Sequence, residues 1–154
     1  YNIKITAVPP SLGLAEQASE YGPELWKRDP DQCCNLRKVL PLQTYLADKT
    51  AWISGIRRSQ GDARRKADMF EWDSKNGVVK INPLIHFSAE RVWDDIKREN
   101  LPYNPMHDEG YPSIGCIPCT SKVDESESER SGRWKEMDKT ECGIHLPDPD
   151  MSEG

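Results

Sequence analysis

Asp29-Pro30-Asp31-Gln32-Cys33-Cys34-Asn35-Leu36-Arg37-Lys38-Val39-Leu40-Pro41-Leu42 reads as helix, and Ala51-Trp52-Ile53-Ser54 beyond it reads as a buried strand. Asp29 is placed to cap the helix, Pro30 takes its first position, and Gln32 lies three residues past the cap. Leu36, Val39 and Leu40 recur at helical spacing, and Pro41 opens a second helix carrying Leu42, Tyr45 and Leu46. Cys33 and Cys34 therefore fall in the first turns of a helix.

Upstream, Ile3 to Val8 predicts an opening strand ended by Pro9-Pro10. A short helix follows through Leu12, Leu14, Ala15, Ala18 and Tyr21, stopped by Gly22-Pro23. Because Tyr1 is no initiator methionine and this strand begins at once, a piece of a larger protein is expected. Downstream, Asn76-Gly77 between Met69–Trp72 and Val78–Ile81 predicts a β-hairpin, ended by Pro83. Ser88 caps a helix with Val92, Trp93 and Ile96 on one face, Lys97 and Arg98 in its last turn and Pro102 beyond it. The chain then becomes loop-rich, and the polar, acidic stretch from Asp124 to Gly154 reads as a mobile tail.

A length of 154 residues suits one domain, and a hydrophobic content of 36% is lean for an independent globule. No run approaches the roughly 20 apolar residues that span a bilayer, and no signal peptide is visible, so a soluble cytoplasmic protein without a membrane partner is expected. A net charge of -5 argues against nucleic acid as partner. The cations are clustered at Arg57-Arg58, at Arg64-Arg65-Lys66, and at Arg130 with Arg133, which suits a small anionic ligand. Solvated surface is the plain alternative, above all for Arg64-Arg65-Lys66.

The cysteines fall as Cys33-Cys34, Cys116-Ile117-Pro118-Cys119, and a lone Cys142 in Glu141-Cys142-Gly143-Ile144-His145. An odd count with a vicinal pair is a poor disulfide framework and a better metal site plus one working thiol. Four-cysteine zinc usually uses two Cys-x-x-Cys knuckles. An adjacent pair more readily holds two corners of a larger iron–sulfur cluster. Zinc, and inert buried thiols, stay open on spacing alone. Lys38 lies one turn after Cys34, either beside such a cluster or simply on the surface. Cys142 has Lys139 and His145 three residues to either side, a setting for a reactive thiolate, though composition equally allows an unremarkable surface thiol.

Taken together, these blocks resemble the assimilatory adenosine 5′-phosphosulfate reductase family, which shares its fold with the 3′-phosphoadenosine 5′-phosphosulfate reductases. The resemblance runs through Cys33-Cys34-Asn35-Leu36-Arg37-Lys38, Trp52-Ile53-Ser54-Gly55-Ile56-Arg57-Arg58-Ser59-Gln60, and Leu101-Pro102-Tyr103-Asn104-Pro105. It continues through His107-Asp108-Glu109-Gly110-Tyr111-Pro112-Ser113-Ile114-Gly115-Cys116, Arg130-Ser131-Gly132-Arg133-Trp134 and Lys139-Thr140-Glu141-Cys142-Gly143-Ile144-His145.

The resemblance implies an α/β fold with an adenine-nucleotide alpha-hydrolase-like (Rossmann-like) sheet. It implies a [4Fe-4S] cluster on Cys33, Cys34, Cys116 and Cys119, with Lys38 between cluster and substrate. Arg57, Arg58, Arg130, Arg133 and His145 match basic positions around a phosphosulfate. Cys142 is implied as the nucleophile that takes sulfur from adenosine 5′-phosphosulfate, leaving AMP. A thioredoxin or similar dithiol then releases sulfite, in sulfate assimilation and cysteine biosynthesis. Residues 1–120 are expected as a partial reductase domain and 121–154 as a flexible tail carrying the catalytic cysteine; a homo-oligomer is compatible with this. The family's amino-terminal strand and Ser-Gly-Gly-x-Asp-Ser phosphate loop are absent, Phe87 stands where Trp is common, and Gly61 where Ser is common. The chain alone is therefore expected to bind substrate poorly. The alternatives are a reductase of the 3′-phosphorylated nucleotide and a non-catalytic zinc or iron–sulfur module.

Overall fold

The computed structural model describes residues 2–124 and 126–145, so Tyr1, Glu125 and residues 146–154 of the expected tail lie outside the described residues. Helix α1 (Leu14–Tyr21) starts where the Gly13 N–H donates to the Glu16 carboxylate at 2.7 Å, and it ends at Gly22. A single turn, α2 (Leu25–Arg28), leads to α3 (Pro30–Cys34), where Asp29 Oδ1 accepts from the Gln32 N–H at 2.9 Å as its residue type predicts.

The expected break at Pro41 is replaced by a change of winding. A π turn (Asn35–Val39) joins α3 to α4 (Leu40–Leu46) without interruption, and the Leu40 N–H reaches back to Asn35 O. Proline has no N–H to give and its ring crowds the preceding turn, so widening that turn lets the helix pass through it.

A mixed three-stranded sheet has the order β1 (Ala51–Ile53), β3 (Val78–Ile81), β2 (Phe70–Asp73). The bonds Val79 N to Thr50 O and Ser54 N to Ile81 O advance in the same sense along both strands, so β1 and β3 are parallel. The predicted hairpin joins β2 and β3, with Gly77 at φ 66° in its turn. Two strand expectations are corrected. Residues 2–10 form no strand, and Ile3 and Ile5 are 75% and 90% exposed, because no neighbouring strand takes up their backbone groups. Strand β1 is not buried: it lies at the sheet edge with Ile53 exposed. Helix α5 (Ala89–Arg98) forms as read, with Ser88 Oγ accepting from the Arg91 N–H at 3.2 Å.

The chain forms two compact units. One holds residues up to Trp52, Trp72–Val79 and the described residues from Cys142 onward; the other holds Ile53–Glu71 and Lys80–Glu141. Within the second, Thr120 and Arg133 form an antiparallel bridge and Trp134 is 2% exposed. Among the described residues, no helix is long and apolar enough to cross a membrane.

Candidate functional site

In the first unit, Cys33 and Cys34 close α3 and are both buried. Lys38 follows, half-buried, in the π turn. The Cys142 segment belongs to the same unit and lies against this helix. A Cβ built on Gly143 would stand 3.4 Å from Val39 Cγ2, an ordinary contact, so it is the φ of +88° that strains any larger residue there. His145 stacks on Trp52 with ring centroids 5.8 Å apart and planes 11° from parallel, and the Trp52 indole donates to Asp73 Oδ2 at 2.9 Å. Cys142 is half-buried.

In the second unit, Cys119 is buried and Cys116 partly exposed, with the 3₁₀ turn Ile117–Cys119 between them. Thr120 Oγ1 ties this loop by donating to Cys116 O at 2.9 Å. Arg133 braces it from outside, donating through Nη1 to Ile114 O at 3.2 Å and through Nε to Cys119 O at 3.4 Å. A side chain at Gly115 would meet that guanidinium, so a larger residue there would require Arg133 to shift.

The other arginines are also engaged. Arg57, 7% exposed, grips both oxygens of Glu129 at 3.0 Å, and Arg58 donates to Ala67 O and the Asp68 carboxylate. Glu141, whose side chain is 3% exposed, accepts from Arg64 Nε at 2.7 Å and lies 3.4 Å from Arg130 Nη2. Arg64 is thus buried, not solvated surface, whereas Arg65 and Lys66 are exposed. Arg64, Arg130 and Glu141, with Gln60, Arg133 and Lys139, line an open cavity of about 390 Å³; Arg57 and Arg58 do not. The cations of Arg130, Arg133 and Lys139 all lie over the Trp134 ring, 4.5 to 6.0 Å from its centre.

Sequence reasoning left Arg64 open between an anion site and solvated surface, and it missed Glu129 and the partner role of Glu141. Only Glu141 carried a local signal, its place next to Cys142. The five cysteines form no disulfide. Among the described residues no group of three or more His, Cys, Asp or Glu side chains is gathered to hold a metal, and the two cysteine pairs belong to different compact units. The donor set nevertheless fits an iron–sulfur group in kind: four soft sulfurs in two locally ordered pairs, three of them buried.

Residues 1–122 match the phosphoadenosine phosphosulfate reductase domain. An adenosine 5′-phosphosulfate reductase of Salinibacter ruber is 48% identical over 150 residues, covering 97% of this chain and 60% of that protein. One of Oceanobacillus iheyensis is 54% identical over 139 residues, covering 90% of this chain and 58% of that protein. The chain thus spans about 60% of the length of these relatives. A phosphoadenylyl-sulfate (PAPS) reductase from Candida auris, solved with phosphate, superposes with a TM-score of 0.60 at 30% identity, covering 75% of this chain and 55% of that one. The chain belongs to the phosphoadenosine phosphosulfate reductase domain family.

Proposed function

We propose that this chain carries the reacting thiol of an adenosine 5′-phosphosulfate reductase, an oxidoreductase that yields sulfite and AMP. The observation that carries this reading is the packing of Gly143, next to Cys142, on Val39, which puts the lone-cysteine segment on the helix bearing Cys33, Cys34 and Lys38. Relatives near 50% identity are named for this substrate, which favours it over the 3′-phosphorylated nucleotide of the 30%-identical solved structure. A marked rate preference for the 3′-phosphorylated form would reverse that choice.

In the proposed reaction the Cys142 thiolate attacks the sulfate sulfur. An S–S bond forms, the S–O bond to phosphate breaks, and AMP departs with the bonding pair. A dithiol of the thioredoxin type then attacks Cys142 Sγ, releasing sulfite as the leaving group; its second thiol resolves the mixed disulfide, so the dithiol supplies both electrons. Lys38, Arg57, Arg58, Arg130, Arg133 and His145 are the proposed anion-binding set, stabilising charge on the departing phosphate. Arg57 and Arg58 hold protein carboxylates in this structure, so substrate must exchange with those partners. Cys33, Cys34, Cys116 and Cys119 would hold a [4Fe-4S] cluster, which supplies local charge and structural linkage when bound. We assign residues 1–120 to the reductase body and 121–154 to the carboxy-terminal segment that presents Cys142. Motion of that segment would admit substrate and later the dithiol.

Incubating the full-length protein with adenosine 5′-phosphosulfate, without reductant, tests this. A sulfonate adduct is expected on the Cys142 peptide by mass spectrometry, and none in Cys142→Ser. Undiminished sulfite release by Cys142→Ser would refute the mechanism.

A further inference from the structure

Gln17, on α1, is 4% exposed and uses both ends of its amide inside the first unit. Its Nε2 lies 3.8 Å from Cys33 Sγ, and its Oε1 accepts from Arg37 Nη1 at 3.1 Å. A guanidinium can only donate, so the oxygen must face Arg37 and the NH₂ must face the sulfur. The amide's direction is therefore fixed by chemistry. Cys33 and Arg37 stand four residues apart on one helical row, and Gln17 bridges the row from a different helix.

An amide aimed at an inert thiol gains little, because a neutral sulfur is a weak acceptor. Against an anionic ligand sulfur the same bond is charge-assisted, and it also holds Sγ to one direction. We propose that Gln17 is a positioning residue that holds Cys33 Sγ as a thiolate ligand of a thiophilic metal centre, with Arg37 setting the amide's orientation. The proposal rests on the reading of Cys33 as a metal ligand.

The test loads the full chain anaerobically with iron and sulfide. It then follows iron and sulfide content, the thiolate-to-iron absorption band, and the rate of colour loss to a chelator. Gln17→Glu keeps an acceptor for Arg37 but turns an oxygen toward the sulfur; Gln17→Leu removes both contacts. Both variants are expected to lose iron on the order of 10- to 100-fold faster than the parent, the range for lost outer-shell partners of metal ligands. The band should also shift, which a packing defect alone would not produce. Arg37→Met frees the amide to turn and should give a smaller acceleration. If circular dichroism shows the Gln17 variants unfolded, Arg37→Met alone decides. Folded variants that keep iron and an unshifted band like the parent overturn the role of Gln17 and leave the ligand reading standing. A parent that retains no iron overturns both.

Discussion

Glu141 is where one side chain has most at stake. Its buried carboxylate faces Arg64 Nε at 2.7 Å and Arg130 Nη2 at 3.4 Å, with both arginines largely buried themselves. Glu141→Gln removes the buried carboxylate that both guanidinium groups face, a change that costs about 3–5 kcal/mol when a buried pair is broken one-sidedly. Urea denaturation should register it, and Arg64→Met combined with Glu141→Leu should recover only the part of the loss that belongs to Arg64, since Arg130 still faces the emptied position. A single-variant cost below about 1 kcal/mol would show that water already reaches the pair. The bond was invisible in the sequence for a simple reason: Arg64 and Glu141 are 77 positions apart, and nothing in a basic run says which member turns inward.

Among the elements, those with local chemistry at their ends were legible. Asp29 and Ser88 each accept a backbone N–H of the first helical turn, where an unpaired donor would otherwise remain. Ser88→Ala should therefore destabilise α5 by about 1 kcal/mol and Ser88→Gly by only a few tenths, read as a shift in the urea midpoint. Equal effects of the two would mean that the hydroxyl bond contributes nothing. The π turn before Pro41 was not legible, because a proline in a periodic run is equally a break or a change of winding. Strand β1 misled for a different reason: apolar content says that a residue tolerates burial, not that a neighbour exists to cover it.

For the whole chain, the mixed helix–strand order from Asp29 onward was readable, whereas the division into two interleaved units was not. That division depends on contacts between segments far apart in sequence, so that residues on either side of the Glu141–Cys142 bond belong to different units. Ile3→Lys with Ile5→Lys should change the stability of this chain by less than about 0.5 kcal/mol, since both side chains already face solvent. A melting-temperature loss of several degrees would mean that the run is packed after all.

The hairpin turn bears on how the protein ages. Asn-Gly sequences lose ammonia when the glycine nitrogen closes on the asparagine side-chain carbonyl. Here Gly77 N donates to Asp73 O at 2.7 Å, and Asn76 Nδ2 donates to Asp73 Oδ2 at 2.7 Å. One aspartate thus restrains both the attacking nitrogen and the departing one. Isoaspartate at position 76 would accumulate chiefly in molecules whose hairpin has opened, so its level in a stored sample is a clock for time spent unfolded.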